Sequence, residues 1–392
     1  MGFFHGRDFF VKTVGIICEY NPFHLGHGRQ FQLVRETLGE DAAIVCVMSG
    51  NYVQRGLPAM WDKFTRARAA AACGADLVLE LPLTCVLQSA EGFAKGGVEV
   101  LTRFGGVDVL SFGAECGDGE RLMEAARTLR TEGYQRKLKE YLERGFSYAA
   151  ARQAALGDQE GLFTKPNNIL GLEYCRAILD LQSPLRPLAV TRDGDYHAHT
   201  PDQEAPSATS VRLLYPNGPW RDYVPEAAAN ILAAAPWYDL QYGERAVLAR
   251  LRGLDDEAWA AAAHGTEGLW SKAKRAARSE ADLESVIQAV KSKRYPRTRI
   301  QRLLLCAYLG LTADGLRRPI PYVRILAASE TGRTLLRQAR DRGNLPLLNP
   351  GQTPENRDYY ALETRASDLY TLFAAPGFPT PCQMEQRARW VP

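Results

Sequence analysis

Residues 13–27 read TVGIICEYNPFHLGH: a β-branched apolar run, then an acid, an aromatic, Asn-Pro, and two histidines that bracket Leu25-Gly26. The run predicts a strand. GHGRQFQLVRETL follows with Phe31, Val34 and Leu38 at helical spacing, and AAIVCVMSG (42–50) predicts a second strand. DKFTRARAAAACG predicts an Ala-rich helix stopped at Gly74, and ADLVLELP the next strand. A helix near 88–103 then leads to VDVLSFGAE, and RPLAVTR is a later strand ending near Arg192, where the sheet is expected to close. Strand and helix alternating at this spacing argue for an α/β fold, a Rossmann-like doubly wound parallel sheet, followed by a mainly helical C-terminal region that is Ala-, Leu- and Arg-rich beyond about 222.

The 392 residues exceed the usual size of a single core. Three parts are expected: a catalytic domain over 1–220, a helical basic region over 221–340, and a small closing segment over 341–392. A net charge of +3 does not by itself call for a polyanionic partner, so the distribution of charge matters more than its sum. The eight cysteines form no CxxC pair and no zinc-spaced set with histidine, so no protein-bound structural metal is expected. Together with the lack of a signal-like start this favours a reducing, cytoplasmic setting. No apolar run approaches the roughly 20 residues that span a bilayer, and no membrane partner is expected.

In an open parallel sheet the ligand lies beyond the carboxyl ends of the strands. The residues there are polar: Glu19, Asn21, His24, Gly26 and His27 after the first strand, Ser49, Gly50, Asn51, Gln54 and Arg55 after the second, then Glu80, Gly113, Glu115 and Arg192. In HxGH the glycine lets a ring or phosphate approach the backbone, both imidazoles address one site, and the helix N-terminus adds N–H groups and partial positive charge. Imidazole N–H groups stabilise an α-phosphate whose charge grows in the transition state, which suits adenylyl transfer. SATSVR (207–212) is a second candidate: Ser207, Thr209 and Arg212 at a helix start make a cradle for the β- and γ-phosphates, while a plain capped helix is the competing reading. The segment 291–302 packs Lys291, Lys293, Arg294, Arg297, Arg299 and Arg302 beside Tyr295, a candidate RNA surface against the alternative of a solvated helix flank. SKAKRAAR (271–278) adds Lys272, Lys274, Arg275 and Arg278 nearby. His197 and His199 find no third metal ligand at suitable spacing, and His5 and His264 are expected at the surface.

HxGH after the first strand and S-x-T-x-x-R after the last resemble the nucleotidylyltransferase branch of the HIGH superfamily. GIICEYNPFHLGH, VMSGNYVQRGLPA, DKFTRARAAAACGADLVLELP, LSFGAE, KPNNILGLEY, SATSVR and KSKRYPRTRIQRLLL, in that order, are similar to the tRNA(Met) cytidine acetate ligase family. Departures from the family pattern occur at Cys18, at Leu25 and in EGLWSKAKRAA. The resemblance implies an enzyme that makes acetyl-adenylate from acetate and ATP and transfers the acetyl group to the wobble cytidine of elongator tRNA(Met), giving N(4)-acetylcytidine. It maps ATP binding onto Ile17, Cys18, Glu19, Tyr20, Asn21, Pro22, Phe23, His24, Leu25, Gly26, His27, Gly28, Arg29 and Gln30, with further contacts at Gly113, Asn167 and Arg192. Asn168 adjoins Asn167, and the sequence leaves open which of the two faces the nucleotide. His24 and His27 are the catalytic candidates, and Mg²⁺ bridging the phosphate oxygens is expected. Two alternatives stand beside this reading: a small-molecule nucleotidylyltransferase of cofactor biosynthesis, and a catalytically silent RNA- or nucleotide-binding protein.

Overall fold

Alternate side chains of the central strands enter two different cores, as a sheet covered on both faces requires. Val14, Ile16, Ile44, Cys46, Met48 and Val78 join Phe31, Val34, Ala67 and Ala70 on one side. Ile17, Val45, Val47, Leu77 and Leu79 join Phe93, Val98 and Leu101 on the other. The computed structural model describes residues 12–146, 148–157, 162, 165–191, 206–349 and 351–378. Among them the strands are β1 (Thr13–Cys18), β2 (Ala43–Ser49), β3 (Tyr52–Val53), β4 (Leu57–Pro58), β5 (Leu77–Leu81), β6 (Val109–Ala114), β7 (Arg186–Thr191), β8 (Val323–Ala328) and β9 (Leu347–Leu348).

Seven strands form the main sheet in the order β7-β6-β1-β2-β5-β8-β9, and β3 pairs with β4 as a separate hairpin. From β7 to β5 every pairing is parallel, while β8 runs antiparallel to β5. The expectation that the sheet closes at the strand before Arg192 is therefore corrected: β8 and β9 extend it from the far end of the chain. The chain steps outward from β1 to β2 to β5, then crosses back to β6 on the other side of β1. That reversal makes the boundary between β1 and β6 the switch point where a doubly wound sheet binds its ligand.

Packing opens that boundary. β1 and β6 pair only at Val14↔Val109 and Gly15↔Leu110, although both strands continue further. Helix Ala90–Phe104 lies close over β1 because a Cβ at Gly97 would stand 2.6 Å from the Ile17 side chain and one at Gly15 2.6 Å from that of Leu101. The helices between 226 and 309 bury Trp259, Leu269, Val286 and Leu303 in the same cluster as the sheet's second face. Helix Arg357–Thr371 anchors the loops after β2, with Tyr52 Oη donating to the Ala366 carbonyl at 2.9 Å and Tyr370 Oη to that of Ala59 at 2.8 Å. No helix among the described residues is long and apolar enough to cross a membrane.

Candidate functional site

A cavity of about 360 Å³ opens at the β1–β6 switch point. Its floor is Ile16, Ile17 and Cys18 of β1 with Phe112 and Gly113 of β6. His24 is the N-cap of helix Leu25–Leu38, whose first turn holds no acid, so the positive end of the helix is uncompensated by any side chain of that turn. The His24 N–H donates to His27 Nδ1 at 3.2 Å, and the two rings stack at 3.7 Å. An accepting Nδ1 leaves Nε2 of a neutral His27 to carry the ring proton as a donor. Behind His27 stand Tyr20 and Phe23, with ring centroids at 4.8 and 5.4 Å. Tyr20 turns the chain with φ 43°, a left-handed conformation uncommon for a tyrosine and held by burial of its ring against Phe23 and Phe31. Gly26 has a narrower role than expected: a Cβ there would lie 3.1 Å from the His24 ring, so the glycine first makes room for that imidazole.

SATSVR arrives from the other side. Ser207 caps helix Ala208–Leu214, accepting from Ser210 N–H at 3.0 Å while its own N–H donates to Ser210 Oγ at 3.2 Å. Arg212 Nη1 donates to the Asn21 carbonyl and Nη2 to Thr209 Oγ1 at 3.1 Å, which ties this helix to the loop after β1. Ser207, Thr209 and Arg212 all line the cavity with Glu19, Tyr20, Asn21, His24, His27 and Gln30.

Asn167 and Asn168 take different places in the structure. Glu115 accepts from the Asn167 N–H at 3.2 Å and from its Nδ2 at 2.9 Å, and from the Asn168 N–H at 2.7 Å, so one carboxylate caps helix Pro166–Asp180. Asn167 lines the cavity, whereas buried Asn168 turns its Oδ1 to the Cys116 N–H at 3.0 Å. Pro22, Phe23, Leu25, Gly26, Gly28 and Arg29 do not form the wall; Phe23 is core and Arg29 points to solvent. Arg192, His5, His197 and His199 lie outside the described residues. Gln54 and Arg55 reach the wall as the strand-end rule anticipates, on the β3–β4 hairpin.

Three groups had no reading from sequence. The apolar wall of Phe93, Phe112, Ile169, Leu170 and Tyr174 has helical or strand periodicity and looks like ordinary core. Arg66 is fully buried, with Nε donating to the Trp61 carbonyl at 2.9 Å and Nη2 to Ser49 at 3.0 Å, and with further bonds to the carbonyls of Glu19 and Gly50. Burial pulls its pKa below the usual guanidinium value. Lys63, one turn before it, pairs with Glu80 at 2.7 Å. A lysine and an arginine three apart within an Ala-rich run, hence on one helix face, were the available signal. Glu19, one of the polar residues after the first strand, accepts from Gln54 N–H at 2.6 Å and from Ser49 Oγ at 3.4 Å.

The basic segment is mostly committed to the protein itself. Arg297 forms a two-pronged pair with Glu284, Arg299 bonds Glu267 at 2.9 Å, and Arg302 is buried with Nη1 donating to the Gln54 carbonyl at 3.4 Å. Arg297 holds the Glu284 carboxyl at about 2, well below its usual range. Tyr295 donates to the Glu267 carbonyl at 2.6 Å between the guanidiniums of Arg294 and Arg299. Lys291, Lys293 and Arg294 are exposed. In SKAKRAAR, Lys272 bonds the Val290 carbonyl and Lys274 pairs with Asp256, while Arg275 and Arg278 are exposed. His264 is half-buried: its Nε2 lies 2.7 Å from the Leu87 carbonyl, and burial pushes its pKa down to about 4.

Comparison with known proteins agrees over nearly the whole chain. The HIGH Nucleotidyl Transferase model matches residues 11–383. The tRNA(Met) cytidine acetate ligase of Acetivibrio thermocellus is 34% identical, over 94% of this chain and 97% of its own length. That of Syntrophomonas wolfei is 34% identical over 95% and 96%. Among solved structures, apo Thermotoga maritima TmcAL superposes with a TM-score of 0.89 at 29% identity, covering 97% of this chain and 99% of its own. The same protein bound with alpha-thio ATP gives 0.86 at 30% identity and the same coverage.

Proposed function

The chain belongs to the HIGH nucleotidyl transferases and, by similarity along nearly its full length, to the tRNA(Met) cytidine acetate ligase family; on that premise we propose that it activates acetate with ATP and acetylates the wobble cytidine, position 34, of elongator tRNA(Met). The observation that carries the reading is convergence: HxGH, Asn167, Gly113 and S-x-T-x-x-R meet in one cavity at the switch point. In the first step a carboxylate oxygen of acetate attacks the α-phosphorus. The bond to the bridging oxygen breaks, and pyrophosphate leaves with its electron pair. Acetate needs no general base, so the site works by positioning and by absorbing charge.

His24 and His27 address the phosphates, the His27 Nε2–H as a donor, while Arg212 and Thr209 receive the triphosphate. Gly113 and Asn167 flank the adenosine. Glu19 is the one carboxylate of the wall among the described residues, and it is occupied by Gln54 and Ser49. Mg²⁺ would therefore come in on the triphosphate oxygens and supply charge neutralisation there. In the second step the exocyclic amine of cytidine attacks the acetyl carbon, the bond to the phosphate oxygen breaks, AMP leaves, and the amine releases a proton. This needs an unstacked base. We place RNA contact on the exposed Lys291, Lys293 and Arg294, with Arg297, Arg299 and Arg302 shaping that surface from beneath. The free thiols of the described cysteines support a reducing, cytoplasmic setting.

The test is mass spectrometry of tRNA(Met) nucleosides after incubation with ATP and isotopically labelled acetate. Labelled N(4)-acetylcytidine is expected. ATP turnover on another acceptor, with unmodified cytidine, overturns the reading.

A further inference from the structure

The cavity wall divides into three parts, and the partition leaves one of them without a ligand. The β6 side, with Gly113 and Asn167, takes the adenosine; the helix starts at His24 and Ser207 take the phosphates. The third part is the β3–β4 hairpin, which contributes Val53, Gln54, Arg55, Leu57 and Pro58. Its apex is a turn closed by the Gly56 N–H on the Val53 carbonyl at 2.9 Å, with Gly56 at φ 79°. The turn is clamped on every side. Glu19 accepts the Gln54 N–H at 2.6 Å, Gln54 Nε2 donates to the Gln88 carbonyl at 3.1 Å, and the Gln54 carbonyl accepts from Arg302. A Cβ at Gly56 would stand 2.6 Å from the Arg302 backbone nitrogen, so helix Arg297–Leu309 backs the turn directly.

Two guanidiniums line the cavity among the described residues, Arg212 and Arg55. Two anions must be held, a triphosphate and a carboxylate. Arg212 stands with the SATSVR helix start; Arg55 stands in the hairpin's turn, in a part of the wall that also presents Val53, Leu57 and Pro58 to the cavity. A guanidinium next to a short apolar wall is the complement of a short-chain carboxylate. We propose that this hairpin is the acyl-acid subsite: Arg55 holds the acetate carboxylate beside the α-phosphate, and Val53, Leu57 and Pro58 limit the acyl chain. The inference rests on the acetate-ligase reading above and adds to it the residues that choose the acid.

Acetate-dependent exchange of labelled pyrophosphate into ATP tests it on the full-length protein. Arg55→Met is expected to raise the acetate KM about 10- to 100-fold, the worth of a charge-assisted hydrogen bond, with the ATP KM within about threefold of wild type. Arg55→Lys falls between. Leu57→Ala is expected to shift the ratio of kcat/KM values toward propionate by about tenfold, the order of one methylene in an apolar pocket. An unchanged acetate KM in Arg55→Met, or an ATP KM that rises as much as the acetate KM, overturns the assignment while leaving the ligase reading intact. If Arg55→Met does not fold, the acid preference of Leu57→Ala decides: no shift overturns the proposal. Wild-type exchange that ignores acetate overturns both.

Discussion

Residues 24–30 and residues 291–302 both stand out in the sequence as chemistry-bearing, and the fold treats them differently. In the first, His24, His27 and Gln30 all reach the wall of one cavity. In the second, Arg297 is bound to Glu284, Arg299 and Arg294 to Glu267 and Arg302 to the Gln54 carbonyl, while Lys291 and Lys293 are exposed. The difference is physical. HxGH prescribes a backbone: an N-cap, a first turn, and a glycine between two rings. A run of cations prescribes only charge, and charge is satisfied as readily by a neighbouring carboxylate as by a phosphate.

The largest effect should come from the first segment. His24→Ala with His27→Ala removes two groups that stabilise the transferred phosphate, each worth about 10²- to 10³-fold, so acetate-dependent pyrophosphate exchange should drop on the order of 10⁴-fold. Equilibrium ATP binding should fall far less, and a parallel collapse of both would make these residues binding groups only. Next in size is Arg66→Met. It leaves the carbonyls of Glu19, Ser49, Gly50 and Trp61 without their buried donor and should cost about 3–5 kcal/mol in urea unfolding. A loss under about 1 kcal/mol would show that water or a repacked chain takes the donor's place.

Legibility follows the same division. The parallel strands β1, β2, β5 and β6 were readable because each is a short apolar run buried on both faces, and the partly exposed edge strand β7 by its Leu188, Ala189 and Val190. VRILAA, which forms β8, is also such a run, but it pairs antiparallel with β5 across roughly 250 residues, and nothing local in sequence announces a partner so distant. The β3–β4 hairpin has two residues per strand, too few for a period. Phe93, Phe112 and Tyr174 obey core periodicity whether they bury against other side chains or line a cavity. The order of Asn167 and Asn168 turned on where Glu115 sits, a third-body contact no spacing encodes.

His264 supplies the next effect, a pH dependence. In the unfolded chain its pKa is near 6.5, while in the fold burial first, and then the charges of Arg302 and Arg299, push it down to about 4. Because the folded value is depressed for a base, the unfolded state binds more protons between those two pH values. Stability contributed by neutral His264 is complete above about 6.5, is lost as pH falls toward 4, and the lost amount is at most about 3 kcal/mol. Unfolding curves at pH 7 and pH 4.5 should differ less for His264→Gln than for wild type. An identical difference would mean that His264 is protonated without disturbing the Leu87 contact.

The smallest effects sharpen the second segment itself. Lys291→Ala with Lys293→Ala should lower the slope of log K against log[salt] for tRNA binding by about 1.4–1.8, since each lost phosphate contact removes about 0.7–0.9. Arg297→Ala should leave that slope unchanged. Its guanidinium is already paired with Glu284, and the pair is partly exposed, so breaking it should cost no more than about 0.5 kcal/mol of stability at neutral pH. The folded Glu284 carboxyl lies at about 2, below its unfolded value, so even this small term is present above about pH 4.5 and disappears as pH falls through 2. Anisotropy titrations across a range of KCl concentrations separate the two sets. Equal loss of slope in Arg297→Ala would mean that RNA phosphate displaces Glu284, converting an internal pair into a binding contact and making Arg297 part of the RNA surface.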